Sequence, residues 1–282
     1  MIGFYDSGFG GLTVLRAVRH LLPQHDYVYL GDSGRAPYGG RDMNTVLDFA
    51  EQCVDRLFEE GCRLIVVACH TVSCTALRHL QNKYAPSRAG ARRILGVTIP
   101  TAEAAVKISG GHIGIIGTTR TVQSGTFAIE IGKLSSHRVS AIAAPLLAPI
   151  VEEAWENTDI GHQAVARYVA GLHGVDTLVL ACTHYPLLRP AFDAAVPPGV
   201  NVLDPSAHIA HRLLDWLNRH PGFVQPRSGL LRALCTGDPE PFQRHGRRFL
   251  GAELPIVQHV AEEHGRLAHR DRLHIELGQV VR

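Results

Sequence analysis

The sequence predicts an α/β fold of two similar domains, each a mainly parallel sheet flanked by helices. The two are related by a pseudo-two-fold, with the active site in the cleft between them. Three observations predict this. Strand-like and helix-like segments alternate along all 282 residues, the signature of α/β architecture. The strand-like segments are continuous apolar runs, such as Leu64-Ile65-Val66-Val67-Ala68 and Leu178-Val179-Leu180-Ala181. Runs of that kind suit parallel strands covered on both faces. The chain also repeats itself: Ile2-Gly3-Phe4-Tyr5-Asp6-Ser7 is echoed by Ile113-Gly114-Ile115-Ile116-Gly117-Thr118. Gly3 precedes Cys69 by 66 positions and Gly114 precedes Cys182 by 68.

Taken in order, strands are expected at 2–6, 26–31, 63–69, 93–97, 112–117, 138–143, 176–182, 200–203 and 229–235. Helices fall between them. In 42–60, Val46, Phe49, Ala50, Cys53 and Leu57 recur at helical spacing and give one apolar face. Cys53, Cys62 and Cys235 read as small core residues. The domains divide as 1–97 for the first part of domain 1 and 98–204 for domain 2, while 205–282 returns to complete domain 1 and adds a tail. Residues 258–282, rich in His, Arg and Glu, read as a solvated helix or tail without chemistry. One continuous sheet with coincidental likeness between its halves is the alternative.

Composition narrows the function. A hydrophobic content of 45% with 19% charged residues describes an ordinary globular chain. The net charge of +2 carries no polyanion footprint, so nucleic acid is not an expected partner. No apolar stretch approaches the length of a membrane span, and no membrane partner is expected. The start, Met1-Ile2-Gly3-Phe4-Tyr5-Asp6, enters a strand with no signal-like segment, and the six cysteines fit no disulfide framework. A cytoplasmic location with reduced thiols is the expectation. The only lysines, Lys83, Lys107 and Lys133, stand at no expected strand end, so no Schiff-base lysine for pyridoxal chemistry is evident.

The chemistry gathers at strand ends, where open parallel sheets place their sites. Cys69-His70-Thr71 and Cys182-Thr183-His184 follow matching strands, and a helix start after each would favour a thiolate. Two buried core cysteines are the bland reading, which the polar followers at both sites oppose. Cys69, Cys74, Cys182, His70 and His184 could instead ligate a metal, but their intervals match no compact zinc pattern, and no metal is expected. Asp6-Ser7-Gly8-Phe9-Gly10-Gly11 joins a strand to a helix, with glycines that let a backbone come close. The loop 31–41 holds Asp32, Arg35, Pro37, Tyr38 and Gly39 in an irregular, glycine-rich setting suited to binding. Gly117-Thr118-Thr119-Arg120-Thr121 gives the second half a hydroxyl-bearing turn that binds a carboxylate or caps a helix. Glu152 and Glu153 read as a solvated face or as a partner that orients a histidine.

Together these motifs resemble the glutamate racemases of the aspartate/glutamate racemase superfamily over nearly the whole chain. The likeness runs through Asp6-Ser7-Gly8, Gly31-Asp32, Pro37-Tyr38-Gly39, Ala68-Cys69 with Thr71, Gly117-Thr118 with Thr121-Val122, and Val151-Glu152-Glu153. It ends with Cys182-Thr183-His184-Tyr185-Pro186, Asp204-Pro205-Ser206 and Thr236-Gly237-Asp238. Cys-Thr-His is similar to the glutamate branch, since aspartate racemases tend to carry an acidic residue after Cys-Thr. The resemblance implies cofactor-independent interconversion of L- and D-glutamate, supplying D-glutamate for peptidoglycan. It implies a small-molecule substrate, and a homodimer is an assembly it allows.

By the same resemblance Cys69 and Cys182 are the acid/base pair, tuned by Asp6, Glu152 and His184. Asp6, Ser7, Pro37, Tyr38, Gly39, His70, Thr71, Thr118, Thr121, Thr183 and His184 are implied to bind substrate. One position departs seriously. The family usually has Asn after its first cysteine, whereas here it is His70, which opens substrate preference and pH profile to change. Ser33-Gly34 and Ala144 differ less seriously. The rivals are a relative acting on another acidic substrate and a weakly active binding or regulatory homologue. Decarboxylase relatives keep one cysteine of the two.

Overall fold

The strands divide between two sheets. In the computed structural model, which describes residues 1–84, 92–263 and 266–269, they are β1 Ile2–Asp6, β2 Tyr27–Gly31, β3 Leu64–Val67, β4 Arg93–Gly96, β5 His112–Gly117 and β6 Arg138–Ala143. After them come β7 Thr177–Ala181, β8 Asn201–Leu203, β9 Leu231–Cys235, β10 Val257–Glu263 and β11 Arg266–His269. The first sheet has the order β11-β10-β9-β2-β1-β3-β4 and the second β6-β5-β7-β8. Every pairing is parallel except that of β10 with β11. The architecture is α/β, as expected, and a single continuous sheet is ruled out.

The repeat read in the sequence reappears as topology. The order β2-β1-β3-β4 of the first sheet recurs as β6-β5-β7-β8 in the second. Thus β1 corresponds to β5 and β3 to β7. Both β3 and β7 are buried along their whole length, which is why they read as apolar runs. One apolar cluster extends through both sheets, joining Phe4 and Leu15 to Leu180 and Phe192. The sheets are therefore held against each other by shared burial.

Helix ends follow local chemistry. The helix Met43–Glu59 starts at Asp42, whose carboxylate accepts from Thr45 N at 3.0 Å. The helix Pro239–Leu250 has Asp238 as its cap, accepting from Glu240 N at 3.0 Å, with Pro239 in the first turn. It stops at Gly251, whose φ of 70° suits a residue without Cβ.

One element corrects the sequence reading. The expected helix or tail at 258–282 begins instead as strand: β10 extends the first sheet beside β9, with Val257 opposite Ala233, and β11 turns back antiparallel, with Ala268 opposite Ala261. The cause is a few apolar positions that the abundance of charged residues obscured. Val257, Val260 and Leu267 are buried between exposed Gln258, Glu262 and Arg266. Residues 264–265 and 270–282 of that tail lie outside the described residues. Strand limits also tighten: β3 ends at Val67 and β7 at Ala181, so both cysteines stand just beyond their strands.

Candidate active site

The first half of the site hangs from β1 and β3. Asp6, the last residue of β1, is fully buried, and its Oδ1 accepts from Gly8 N at 3.0 Å. Its Oδ2 accepts from Thr183 Oγ1 at 3.4 Å, across from the other sheet. Burial pushes the Asp6 carboxyl up, while His184 and the donors from Gly11, Gly8 and Thr183 restrain it. Ser7 Oγ lies 3.4 Å from Cys69 Sγ. Cys69 itself caps the helix His70–Thr75. That helix was expected to favour a thiolate, but the thiol is instead pushed up to about 12, first by burial and then by Asp6. Six residues carry too small a dipole to offset the loss of water around a charged sulfur.

The second half hangs from β7. Cys182 follows Ala181, and its Sγ lies 3.8 Å from His184 Nδ1. The other ring nitrogen, Nε2, lies 2.8 Å from Glu152 Oε1. Burial alone would lower this imidazole, yet hydrogen bonds and charge from Cys182 and Glu152 push it up to about 10. Glu152, left open in the sequence between surface and function, thus orients the histidine. Its neighbour Glu153 is only the C-cap of the helix Leu147–Glu152.

The two halves approach at glycines. A Cβ on Gly10 would sit 2.3 Å from Thr183 Oγ1 and 2.6 Å from His184 Cε1. Thr13 Oγ1 donates to Thr183 O at 3.1 Å, a second tie across the same gap. On the other side a Cβ on Gly39 would sit 2.9 Å from Thr118 Cβ, and Arg120 N donates to Gly39 O at 2.9 Å. Thr71, Thr118 and Thr121 form a cluster of hydroxyls there, with Thr118 Oγ1 2.9 Å from Thr71 Oγ1 and 3.0 Å from Thr121 Oγ1. Thr118 also caps the helix Thr119–Gln123, one of the two roles weighed for this turn.

Sequence reasoning missed what holds the loop 36–41. Tyr38 turns its hydroxyl away from the cavity, donating to Asp32 and accepting from Tyr5 at 3.1 Å. Asp32 also accepts from Arg35 Nε at 2.9 Å and Thr236 Oγ1 at 2.6 Å. The Gly31-Asp32 and Thr236-Gly237-Asp238 motifs were in view, but their meeting depends on β9 lying beside β2.

A cavity of about 250 Å³ lies between these groups. Both cysteines wall it, each from its own sheet. Of the residues expected at the site, Ser7, Pro37, Tyr38, Gly39, His70, Thr71, Thr118, Glu152, Thr183 and His184 also line it. Asp6 and Thr121 do not. They are buried one layer back and touch residues that line the cavity, Asp6 through Gly8 and Thr183, Thr121 through Thr71 and Thr118. Cys74 faces Thr98 at 3.4 Å instead, and among the described residues no three of His, Cys, Asp or Glu gather as metal ligands.

His70 is the unusual member. It is 2% exposed, and neither ring nitrogen has a hydrogen-bond partner among the described residues. Its ring lies nearly parallel to Phe127, with centroids 6.2 Å apart. Burial lowers the imidazole to about 3, so the ring is neutral at physiological pH. Buried polar atoms without partners are rare.

Known proteins share this arrangement's sequence and fold. The Asp/Glu/Hydantoin racemase profile matches residues 13–213. Among curated relatives, the glutamate racemase of Geobacter metallireducens is 36% identical over 268 residues, covering 93% of this chain and 97% of its own. That of Aquifex aeolicus is 37% identical over 255 residues, covering 90% and 95%. The crystal structure of a glutamate racemase isoform from Bacillus anthracis superposes with a TM-score of 0.85 at 31% identity, covering 94% of this chain and 98% of that one. The glutamate racemase of Francisella tularensis in complex with D-glutamate superposes with a TM-score of 0.84 at 27% identity, covering 92% and 97%. With a profile spanning most of the chain and relatives matched nearly end to end, this chain belongs to the Asp/Glu/Hydantoin racemase family.

Proposed function

We propose that this chain interconverts L- and D-glutamate with Cys69 and Cys182 as its two acid/base groups. The observation that carries the reading is that both thiols wall one cavity from different sheets, each beside its own polar partners. The volume, about 250 Å³, falls below the range of roughly 300–1,000 Å³ usual for drug-sized ligands and suits an amino acid. The relatives named as glutamate racemases, one of them solved with D-glutamate, support the choice of substrate. D-Glutamate made in this way would supply peptidoglycan.

In the reaction one cysteine, as thiolate, takes the α-proton, and the electron pair is left on the α-carbon. The other cysteine, as thiol, returns a proton from the opposite face, and the enantiomer bound decides which acts first. The carbanion needs donors aimed at the α-carboxylate in a site that excludes water. Free N–H groups at the start of the helix His70–Thr75 fit that role, while the Thr183 hydroxyl donates to Asp6 beside them. The hydroxyls of Ser7, Thr71 and Thr118 supply further contacts. His184, charged by its place between Glu152 and Cys182, serves the second thiol. Asp6 serves both sides through Cys69 and Thr183. No lysine lines the cavity to form a Schiff base.

Incubation with each glutamate enantiomer in D2O, without added cofactor, tests the reading. Racemisation with deuterium at the α-carbon is expected, and absence of exchange with both enantiomers would overturn it. Cys69→Ser and Cys182→Ser should each reduce turnover on the order of 10³-fold or more. His70 favours a second reading, in which another acidic amino acid is preferred, because an imidazole donates and accepts differently from the usual amide. Faster turnover of aspartate than glutamate would establish it.

A further inference from the structure

The helix Pro239–Leu250 belongs to the return segment, yet its last turn meets the catalytic region of the second sheet. Arg248 Nη2 donates to Val151 O at 3.1 Å and pairs with Glu156. Val151 immediately precedes Glu152, on a helix of only six residues, Leu147–Glu152. So short a helix has little stability of its own, and an outside contact must set where its end lies. The next residue, Phe249, stands edge-on to the His184 ring, with centroids 5.3 Å apart and planes at 77°. Phe9 closes the other side, 6.2 Å from His184 and 5.3 Å from Phe249. One helix end therefore grips the backbone beside Glu152 and the ring that Glu152 orients.

The ion pair is not built as stability alone would build it. Arg248 Nη1 and Glu156 Oε2 are both buried without partners among the described residues, while Nη2 carries both contacts. A bidentate pairing would satisfy those atoms. Instead the guanidinium is shared with a carbonyl next to the active site, and unpaired buried atoms are the cost.

We infer that Arg248, supported by Phe249, is a positioning residue that sets the Glu152–His184 pair and through it the proton transfer at Cys182. This rests on the acid/base role proposed above for Cys182. Racemisation joins mirror images, so its equilibrium constant in water is one, and kcat/KM must change by the same factor from either enantiomer. A fault on the Cys182 side therefore shows in isotope effects. Where Cys182 removes the proton, a raised barrier makes that step more limiting, and the substrate α-deuterium effect grows. Where Cys182 returns it, the effect shrinks, and solvent deuterium enters unreacted substrate.

The experiment measures kcat/KM and α-deuterium isotope effects in both directions for the full-length chain. Arg248→Met should lower kcat/KM on the order of 10-fold from both enantiomers, with the two isotope effects moving in opposite directions. Arg248→Lys should recover much of the loss. Unchanged kinetics in a folded Arg248→Met protein, or a loss with both isotope effects unmoved, would overturn the inference. If Arg248→Met does not fold, Phe249→Leu should give the same opposed isotope shifts, and their absence is equally decisive. Full activity in Cys182→Ser would sink the acid/base reading itself. An inactive Cys182→Ser beside an unaffected Arg248→Met would sink only this inference.

Discussion

His184 stands between Glu152 and Cys182, with Nε2 2.8 Å from the carboxylate and Nδ1 3.8 Å from the sulfur. Both neighbours favour the charged ring, which explains its rise to about 10 against the effect of burial. Glu152→Gln removes one of them. We expect kcat to fall on the order of 10²-fold and the alkaline limb of the pH–rate profile to move to lower pH. A profile identical to the parent's would contradict the assignment.

His70 predicts a pH dependence of stability. Its folded value of about 3 lies below that of an unfolded histidine, near 6.5. The unfolded chain therefore binds more protons between those values, and stability is kept above about pH 6.5 and lost as pH falls toward 3. Relative to His70→Asn, the parent should lose about 1.4 kcal/mol for each unit of pH in that window. Urea midpoints across the window measure it, and parallel curves for the two proteins would refute it. His184 has the opposite sign: its contribution is complete below about 6.5 and lost as pH rises toward 10.

Gly10→Ala should damage stability and catalysis together. The new methyl group meets Thr183 Oγ1 and the His184 ring, and neither can retreat without disturbing Asp6 or Glu152. A cost of about 1–3 kcal/mol is expected from thermal unfolding, with a fall in kcat. Gly132→Ala, at an exposed helix end away from the cavity with no atom within 4 Å of the new methyl group, serves as the control. Equal behaviour of the two variants would refute the close-approach argument.

Tyr38→Phe removes the donation to Asp32 while leaving the ring against Phe49. A buried bond to a carboxylate contributes about 1.5–3 kcal/mol, so the variant should unfold more easily. Because Tyr38 lines the cavity through its loop and not its hydroxyl, KM should rise more than kcat falls. A drop confined to kcat would argue that the hydroxyl takes part in chemistry.

Much of the fold was legible because its signals are local. The runs at β1, β3 and β7 and the turn at Thr118 carry their own patterns, and each element formed where expected. The Glu152 partnership was not legible, since Glu152 and Glu153 look alike and only the place of Glu152 beside His184 distinguishes them. The thiol of Cys69 misled in a different way. A helix start argues for a thiolate, but burial and Asp6 act through three dimensions and outweigh it. At β10 the error was compositional, with charged residues concealing the apolar positions Val257, Val260 and Ala261 that the sheet buries.

By itself, then, the sequence determined the α/β class, the repeat, the two cysteines and the polar residues that follow them. These rest on backbone periodicity and on residue chemistry, which neighbours in sequence specify. The tertiary structure alone decided that Asp6 reaches Thr183, that Asp32 holds Tyr38, that Arg248 grips Val151 and that His70 is buried without a partner among the described residues. Those relations join segments far apart in the chain, and desolvation and charge act on distance in space, which no spacing along the sequence records.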